Sequence, residues 1–235
     1  MIRNIFANHG ITITEEQEQK LNQYYDLLID WNNKINLTSI VEYEEVIWKH
    51  FLDSAFFVSC DKVDLKEKKK VLDLGTGAGF PGMVLAILCP DYEFVLADSL
   101  NKRIEFLKVV INRLQIHNVS VIHGRAEELG RDENFRNQFD YVVSRAVAEL
   151  PVLLEYCIPF VKKGGYFVSY KSRRLDEEIE NAENALNMLY TKYEKKYKYE
   201  LEYDHSERYI VFFRCENITD SKYPRKPKKI KTNPL

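Results

Sequence analysis

The chain has 235 residues, 45% of them hydrophobic and 30% charged, enough for one α/β domain with an extension, or at most two small domains, around a buried core. No apolar run approaches the roughly 20 residues of a membrane span, and Met1-Ile-Arg-Asn-Ile-Phe6 lacks the apolar stretch of a secretory leader, so a cytoplasmic protein is expected. Cys60, Cys89, Cys157 and Cys215 are scattered, with no CxxC or Cys/His cluster, which speaks against zinc or a disulfide framework and for buried free thiols.

The net charge of −2 hides an asymmetry. Residues 222–235 hold six basic residues and no acid, leaving 28 basic against 36 acidic residues elsewhere. A basic tail on an acidic body fits a polyanionic partner, and it equally fits a solvated tail that keeps the chain in solution.

Along the chain, the first 60 residues read as helical. Thr14-Glu-Glu-Gln17 is a capping box, and Leu21, Tyr24, Leu28, Trp31 and Ile35 follow at helical spacing as one apolar stripe. Asn32, Asn33, Lys34 and Asn36 break that pattern. A second helix is expected over Glu42–Val58 and a charged connector over Lys62–Lys70. From Lys70 short apolar runs alternate with helical stretches. Strands are expected at Lys70–Leu74, Glu93–Asp98, Asn118–His123, Phe139–Ser144 and Tyr166–Lys171, with helices at Pro81–Cys89, Asn101–Gln115, Glu149–Phe160 and Leu175–Tyr190. Strands apolar on both faces with helices between them imply a parallel sheet covered on both sides. Lys195–Tyr203 and Glu207–Cys215 are separated only by Asp204-His-Ser206, too short for a helical crossover, so they form an antiparallel hairpin. The expected fold is a seven-stranded, mostly parallel α/β sheet with a terminal hairpin. Residues 1–62 form a helical extension packed on the core, 63–217 the cofactor-binding domain and 218–235 the basic tail.

The segment Val71-Leu-Asp-Leu-Gly-Thr-Gly-Ala-Gly-Phe-Pro-Gly82 carries the chemistry. Glycines at a strand-to-helix junction let backbone approach a ligand outside the carboxyl ends of a doubly wound sheet. Two registers overlap. Gly77-Ala-Gly-Phe-Pro-Gly82 matches the dinucleotide fingerprint, whereas Asp73 before Gly75, Gly77 and Gly79 matches the pattern of S-adenosylmethionine-dependent methyltransferases. The second is favoured on three grounds. The strand runs directly into Gly75. A carboxylate at its end suits an ammonium and a sulfonium but repels a pyrophosphate. The terminal hairpin resembles the seven-stranded sheet of class I methyltransferases. Asp98 lies 19 residues after Gly79, near the spacing of a carboxylate that accepts from ribose hydroxyls, and either cofactor carries a ribose. Ala126 and Glu127 follow the third strand, where adenine is expected, and Arg145 ends the fourth, facing the methyl group.

Seven strings extend the pattern: Trp31-Asn-Asn-Lys-Ile-Asn-Leu-Thr38, His50-Phe-Leu-Asp-Ser54, Asp73–Gly82, Asp98-Ser-Leu-Asn-Lys-Arg103, Arg125-Ala-Glu127, Ser144-Arg-Ala-Val-Ala148 and Tyr223-Pro-Arg-Lys226. With them the chain resembles, over nearly its whole length, the RsmG family, also called glucose-inhibited division protein B. The resemblance implies methylation of a small-subunit ribosomal RNA guanine at N7, with cofactor contacts at Gly75, Phe80, Ala126, Glu127 and Arg145. Two departures stand out. Lys171-Ser172 replaces the family's usual Lys-Gly, and Pro227-Lys-Lys-Ile230 replaces its Ala-Gly-Thr-Pro.

No catalytic acid–base pair is evident. Guanine N7 carries a free lone pair, so attack requires no prior proton removal, and alignment alone can supply about 7–11 kcal/mol. The expected cofactor is S-adenosylmethionine, held by Asp73, Gly75, Gly77, Phe80, Asp98, Ala126, Glu127 and Arg145, and the expected partner is small-subunit ribosomal RNA or its particle. RNA contacts are expected at Lys171, Arg173, Arg174, Arg225, Lys226, Lys228 and Lys229, with Arg145 at the same rim, because cations at a strand-end rim hold phosphates. Trp31 and His50 read as structural, and the protein as a monomer without metal. Neutralising Lys226, Lys228, Lys229 and Lys231 should weaken RNA binding in a salt-dependent filter assay and leave cofactor affinity unchanged. Equal loss of both would give the tail a structural role.

Overall fold

The computed structural model describes residues 1–145, 148–172 and 175–235. Its centre is a seven-stranded sheet: β1 (Lys70–Leu74), β2 (Glu93–Asp98), β3 (Val119–His123), β4 (Phe139–Arg145), β5 (Val161–Lys171), β6 (Thr191–Leu201) and β7 (Ser206–Cys215). The order is β3-β2-β1-β4-β5-β7-β6, with β1 to β5 parallel and β7 antiparallel to both β5 and β6. The order reverses between β1 and β4, which opens a crevice at their carboxyl ends.

Strand alternation sorts side chains into two cores. On one face lie Val71, Leu96, Val143, Val168 and Phe212; on the other lie Leu72, Leu74, Val95, Val142, Phe167 and Phe213. The first face is covered by α1 (Ile2–Asn8), α2 (Glu15–Ile35), a helical passage over residues 43–59, α5 (Gly82–Leu88) and α6 (Asn101–Leu114). The second is covered by α8 (Leu150–Cys157), α9 (Leu175–Asn181) and α10 (Glu183–Met188). α7 (Ala126–Leu129) is a short turn after β3. Thr14 and Gln17 cap α2 reciprocally, as the sequence predicts. Leu21, Tyr24 and Leu28 of the stripe are buried, and Trp31 packs on the core beside Phe106.

Several boundaries differ from expectation. The second helix runs from Tyr43 to Ser59 as α3 (Tyr43–Val46), a π-helical turn (Ile47–Leu52), α4 (Asp53–Ala55) and a 3₁₀ turn (Phe56–Ser59). A widened turn leaves no distinct mark in the apolar spacing, so periodicity alone shows one helix. β5 begins at Val161 rather than Tyr166, because Val161 already pairs with Phe139 of β4 and residues 162–165 form an irregularity before Tyr166 pairs with Tyr141. The expected helix over Leu175–Tyr190 is two, α9 and α10, and the hairpin strands start earlier in the sequence than expected.

The C-terminal basic segment is folded. Tyr223 and Ile230 are buried, and α11 spans Pro227–Thr232. Arg136 donates to the carbonyls of Thr219, Asp220 and Tyr223 at 2.6–3.0 Å, and Arg131 to that of Pro224 at 2.6 Å. Arg225, expected at an RNA-facing surface, is turned inward. Its Nε and Nη2 grip both oxygens of Glu155 at 2.6–3.0 Å, and Glu155 itself is fully buried. A buried carboxylate requires such a partner, and that need overrides the attraction of solvent for the guanidinium. Arg225→Ala should therefore cost about 3–5 kcal/mol in urea unfolding by stranding Glu155, whereas Lys226→Ala, at an exposed position, should stay within about 0.5 kcal/mol of the parent. Equal effects would show the pair to be dispensable.

Candidate functional site

The glycine loop after β1 is pinned from behind. Asp73 is on the face covered by the N-terminal helices and is fully buried. Its Oδ2 accepts from Thr76 Oγ1 and from the amide of Gly82, each at 2.7 Å. Its Oδ1 has no hydrogen-bond partner among the described residues. Burial pushes this carboxyl up to about 6, against the opposing pull of the two hydrogen bonds and the Arg145 charge. Asp98 Oδ2 accepts from Gly77 N at 2.9 Å and Arg103 Nη1 at 3.1 Å, and Oδ1 accepts from Leu100 N at 2.9 Å. The Tyr24 hydroxyl donates to the Ala78 carbonyl.

This packing decides between the two glycine registers. A Cβ on Gly79 would strike the Tyr24 hydroxyl and come within 2.9 Å of Leu107 and Met83. One on Gly82 would strike Leu96 and come within 2.8 Å of Asp73. These two glycines serve internal packing. Gly77, at φ +62°, has nothing within 4 Å of where its Cβ would stand. The backbone open to a ligand is therefore the stretch from Gly75 to Gly77, and the dinucleotide register, which needs Gly82 for close helix packing and Gly79 free, does not fit.

Three cavities adjoin along the carboxyl ends of the strands. The first, about 410 Å³, is lined by Leu74, Gly75, Asp98, Ala126, Glu127, Val152, Leu153 and Tyr156 among others, with Pro227, Lys231 and Pro234 of the C-terminal segment. The second, about 430 Å³, shares Gly75, Asp98 and Ser99 with it and adds Thr38, His50, Gly77, Phe80, Arg103 and Arg145. The third, about 410 Å³, shares His50 and Arg145 with the second and adds Lys49, Asp53, Tyr170, Lys171 and Arg208.

Arg145 stands where the second and third cavities meet. Alternation along β4 puts it on the face of Tyr141 and Val143, toward the π-helical turn. It donates to Asp53 Oδ2 at 2.7 Å, to the Lys49 carbonyl at 3.0 Å and to His50 Nδ1 at 3.2 Å, and its guanidinium lies 5.3 Å from the Phe80 ring centre. Asp53 is held in turn by the Tyr199 hydroxyl at 2.8 Å. His50 Nδ1 also stands 3.2 Å from the Lys49 carbonyl, and Nε2 is 2.9 Å from Thr38 Oγ1; arginine can only donate, so the Arg145 contact favours Nδ1 as acceptor with the proton on Nε2. The imidazole stacks on Phe80 at 4.3 Å. Burial first, and the Arg145 charge second, push His50 down to about 3.

The structure thus gathers Gly75, Gly77, Phe80, Asp98, Ala126, Glu127 and Arg145 around the first two cavities. Asp73, expected to touch the cofactor, lines none of the three and stands behind the loop. Lys171 lines the third cavity with its ammonium paired to Glu178 at 2.5 Å. Lys226, Lys228 and Lys229 are exposed, Arg225 is not, and Arg173 and Arg174 lie outside the described residues. Sequence reading did not single out Thr38, Asp53, Arg103 or Tyr156 as lining residues, placed Lys231 with the RNA-facing lysines, and read His50 as structural. All but Tyr156 and Lys231 fall within quoted strings, yet nothing in their spacing distinguishes a lining side chain from a packed one. Among the described residues no group of His, Cys, Asp and Glu is arranged to hold a metal ion, and no helix is long and apolar enough to cross a membrane.

Residues 17–205 match the family model GidB, described as rRNA small subunit methyltransferase G. The chain belongs to the GidB family. A relative from Lachnoclostridium phytofermentans, named ribosomal RNA small subunit methyltransferase G, is 50% identical over 216 residues, covering 92% of this chain and 88% of its own. One of the same name from Streptococcus sanguinis is 43% identical, covering 94% and 93%. Among solved structures, an S-adenosylmethionine-dependent methyltransferase from Aquifex aeolicus superposes with a TM-score of 0.51 at 19% identity, over 68% of this chain and 88% of that one. Aeropyrum pernix fibrillarin, solved with bound S-adenosylmethionine, gives 0.52 at 15% identity, over 71% and 75%. These likenesses make the GidB sheet one of the class I methyltransferase type, as the alternating elements predict.

For the GidB chain described here, the ring nitrogens of His50 should keep one unchanging set of ¹⁵N chemical shifts, those of a neutral Nε2–H imidazole, from about pH 8 to about pH 4. A titration midpoint near 6.5 would contradict the buried contact with Arg145.

Proposed function

We propose that this chain is an S-adenosylmethionine-dependent methyltransferase that modifies N7 of a guanine in small-subunit ribosomal RNA, working as a cytoplasmic monomer whose groove is lined by one chain. The observation that carries this reading is the groove itself: backbone open at Gly77, backed by two carboxylates, lies between an apolar cavity and a charged cavity lined by Lys49, Arg145, Lys171 and Arg208 with Asp53 and Glu178, in a member of the GidB family.

The residues present fit the cofactor. Ala126, Val152, Leu153 and Tyr156 offer an apolar slot for a purine. Glu127, whose one ion-pair contact among the described residues is Arg125 at 3.9 Å, can accept from ribose hydroxyls, and Asp98 has acceptor capacity left beyond its three donors. The buried charges of Asp73 and Asp98 behind the loop favour a cationic ligand at Gly75 and Gly77. When bound, the cofactor supplies an electrophilic methyl group on a sulfonium. The chain's own contribution is placement. The third cavity, with Lys49, Lys171 and Arg208 at its edge, holds the target nucleotide and its phosphates. Asp53 neutralises Arg145 there, so the positive charge gained by the base meets no unpaired cation. His50 is committed to Arg145 and Thr38 and is not free as a proton acceptor, which suits a nitrogen with an open lone pair.

The test is incubation with labelled S-adenosylmethionine and small ribosomal subunits lacking the modification, followed by mass mapping of the RNA. One added methyl group at N7 of a single guanine is expected; label in protein or DNA alone, or none in RNA, would sink the reading. Arg145→Lys should lower kcat/KM at least about tenfold, because an ammonium cannot hold three partners and stack on Phe80 together. Unchanged kcat/KM would remove Arg145 from the site.

A further inference from the structure

By composition the C-terminal segment is a polycation that fits either an RNA partner or a solvated tail. The fold puts it beside the cofactor groove. Three of its residues, Pro227, Lys231 and Pro234, line the first cavity opposite Glu127 and the strand ends. The segment is anchored there at several points. The Arg225–Glu155 pair fixes its start to α8, which itself supplies Val152, Leu153 and Tyr156 to the same cavity. Ile230 is fully buried, and Leu235 packs against the core cluster that contains Leu74, Ala97 and Leu153. Lys226, Lys228 and Lys229 are exposed and line none of the three cavities. One short segment thus has one side on the cavity and another in solvent.

We propose that residues 226–235 are a wall of the cofactor site, and that RNA held on the exposed lysines tightens cofactor binding through that wall. This rests on the cofactor reading given above. The physical basis is shared position. A ligand in the first cavity gains contact with Pro227, Lys231 and Pro234 only while the segment lies against α8. Phosphates drawn to Lys226, Lys228 and Lys229 favour whichever segment position they engage. If that position is the packed one, both ligands bias the same state, and each raises the affinity of the other by one factor. Lys231 therefore separates from the other three lysines, which leave the free protein's cofactor affinity alone.

The experiment uses S-adenosylhomocysteine, which has the adenosine and amino-acid parts and no transferable methyl. Its affinity is measured by calorimetry for the full chain, for a chain ending at Arg225, which keeps the Glu155 pair, and for K226A/K228A/K229A. The shortened chain should bind at least about tenfold more weakly, and the triple variant within about twofold of the parent. The shortened chain exposes the pocket of Ile230, so a second measurement uses the intact protein: saturating S-adenosylhomocysteine should slow tryptic cleavage within residues 226–231. Unmethylated small subunits should tighten S-adenosylhomocysteine binding by about fivefold or more in the full chain and not in the shortened one. Equal affinities for full and shortened chains, together with unaltered tryptic cleavage, overturn the wall. Equal affinity with and without small subunits overturns the coupling. If the full chain itself fails to bind, the cofactor reading falls and takes this proposal with it, an outcome distinct from the other two.

Discussion

A backbone loop can stay open to a ligand only if something else keeps it from collapsing, and here the task falls to buried oxygen atoms behind it. Asp73 accepts from both ends of the Thr76–Gly82 turn, Asp98 accepts from Gly77, and Tyr24 donates to Ala78. Burying a carboxylate is costly, and the elevated pKa of Asp73 reports that cost. Two short hydrogen bonds offset part of it and fix the loop at the same time. The glycines then divide by function. Gly79 and Gly82 let Tyr24, Leu96 and Asp73 come close, while Gly77 faces empty space. Rigidity behind and openness in front come from the same few residues.

The same device recurs one layer out. Phe80 leaves the loop and supports His50, His50 accepts from Arg145, Arg145 pairs with Asp53, and Asp53 accepts from Tyr199 of β6. The chain of contacts ties the glycine loop to the terminal hairpin through the π-helical turn of the N-terminal region. It makes that region part of the site: α2 supplies Tyr24, and the helical passage supplies His50 and Asp53. A polar network of this kind restricts its members to one geometry because every alternative strands a buried charge. Arg145 is therefore a fixed cation, and its neighbour His50 a fixed neutral ring, within a groove whose other walls are glycine backbone and apolar side chains.

The basic C-terminus shows how composition and role can diverge. Its charge density is that of a solvated arm, yet two arginines from the stretch between α7 and β4, Arg131 and Arg136, hold its backbone carbonyls, and Glu155 holds Arg225. The segment contributes apolar and cationic groups to a cavity wall without joining the sheet.

Much of this architecture was legible in the residues themselves. The capping box at Thr14, the boundaries of β1 and β2, the parallel order implied by doubly apolar strands and the antiparallel hairpin all follow from local rules of capping and periodicity. The strand-end positions of Gly75, Asp98 and Arg145 follow too, because a strand's end places its last residue at the rim of the sheet. The direction of each side chain did not follow. Asp73 and Arg225 were expected to face ligand and RNA. Whether a charged group turns to solvent or inward depends on partners distant in sequence: Arg225 is 70 residues from Glu155, and Arg145 is 92 from Asp53. The sequence by itself determined the sheet, the loop and its register candidates, since these arise between near neighbours. Only the tertiary structure decided which glycines are open, which charges are spent internally and where the basic segment lies, since these depend on which buried groups across the fold need a partner.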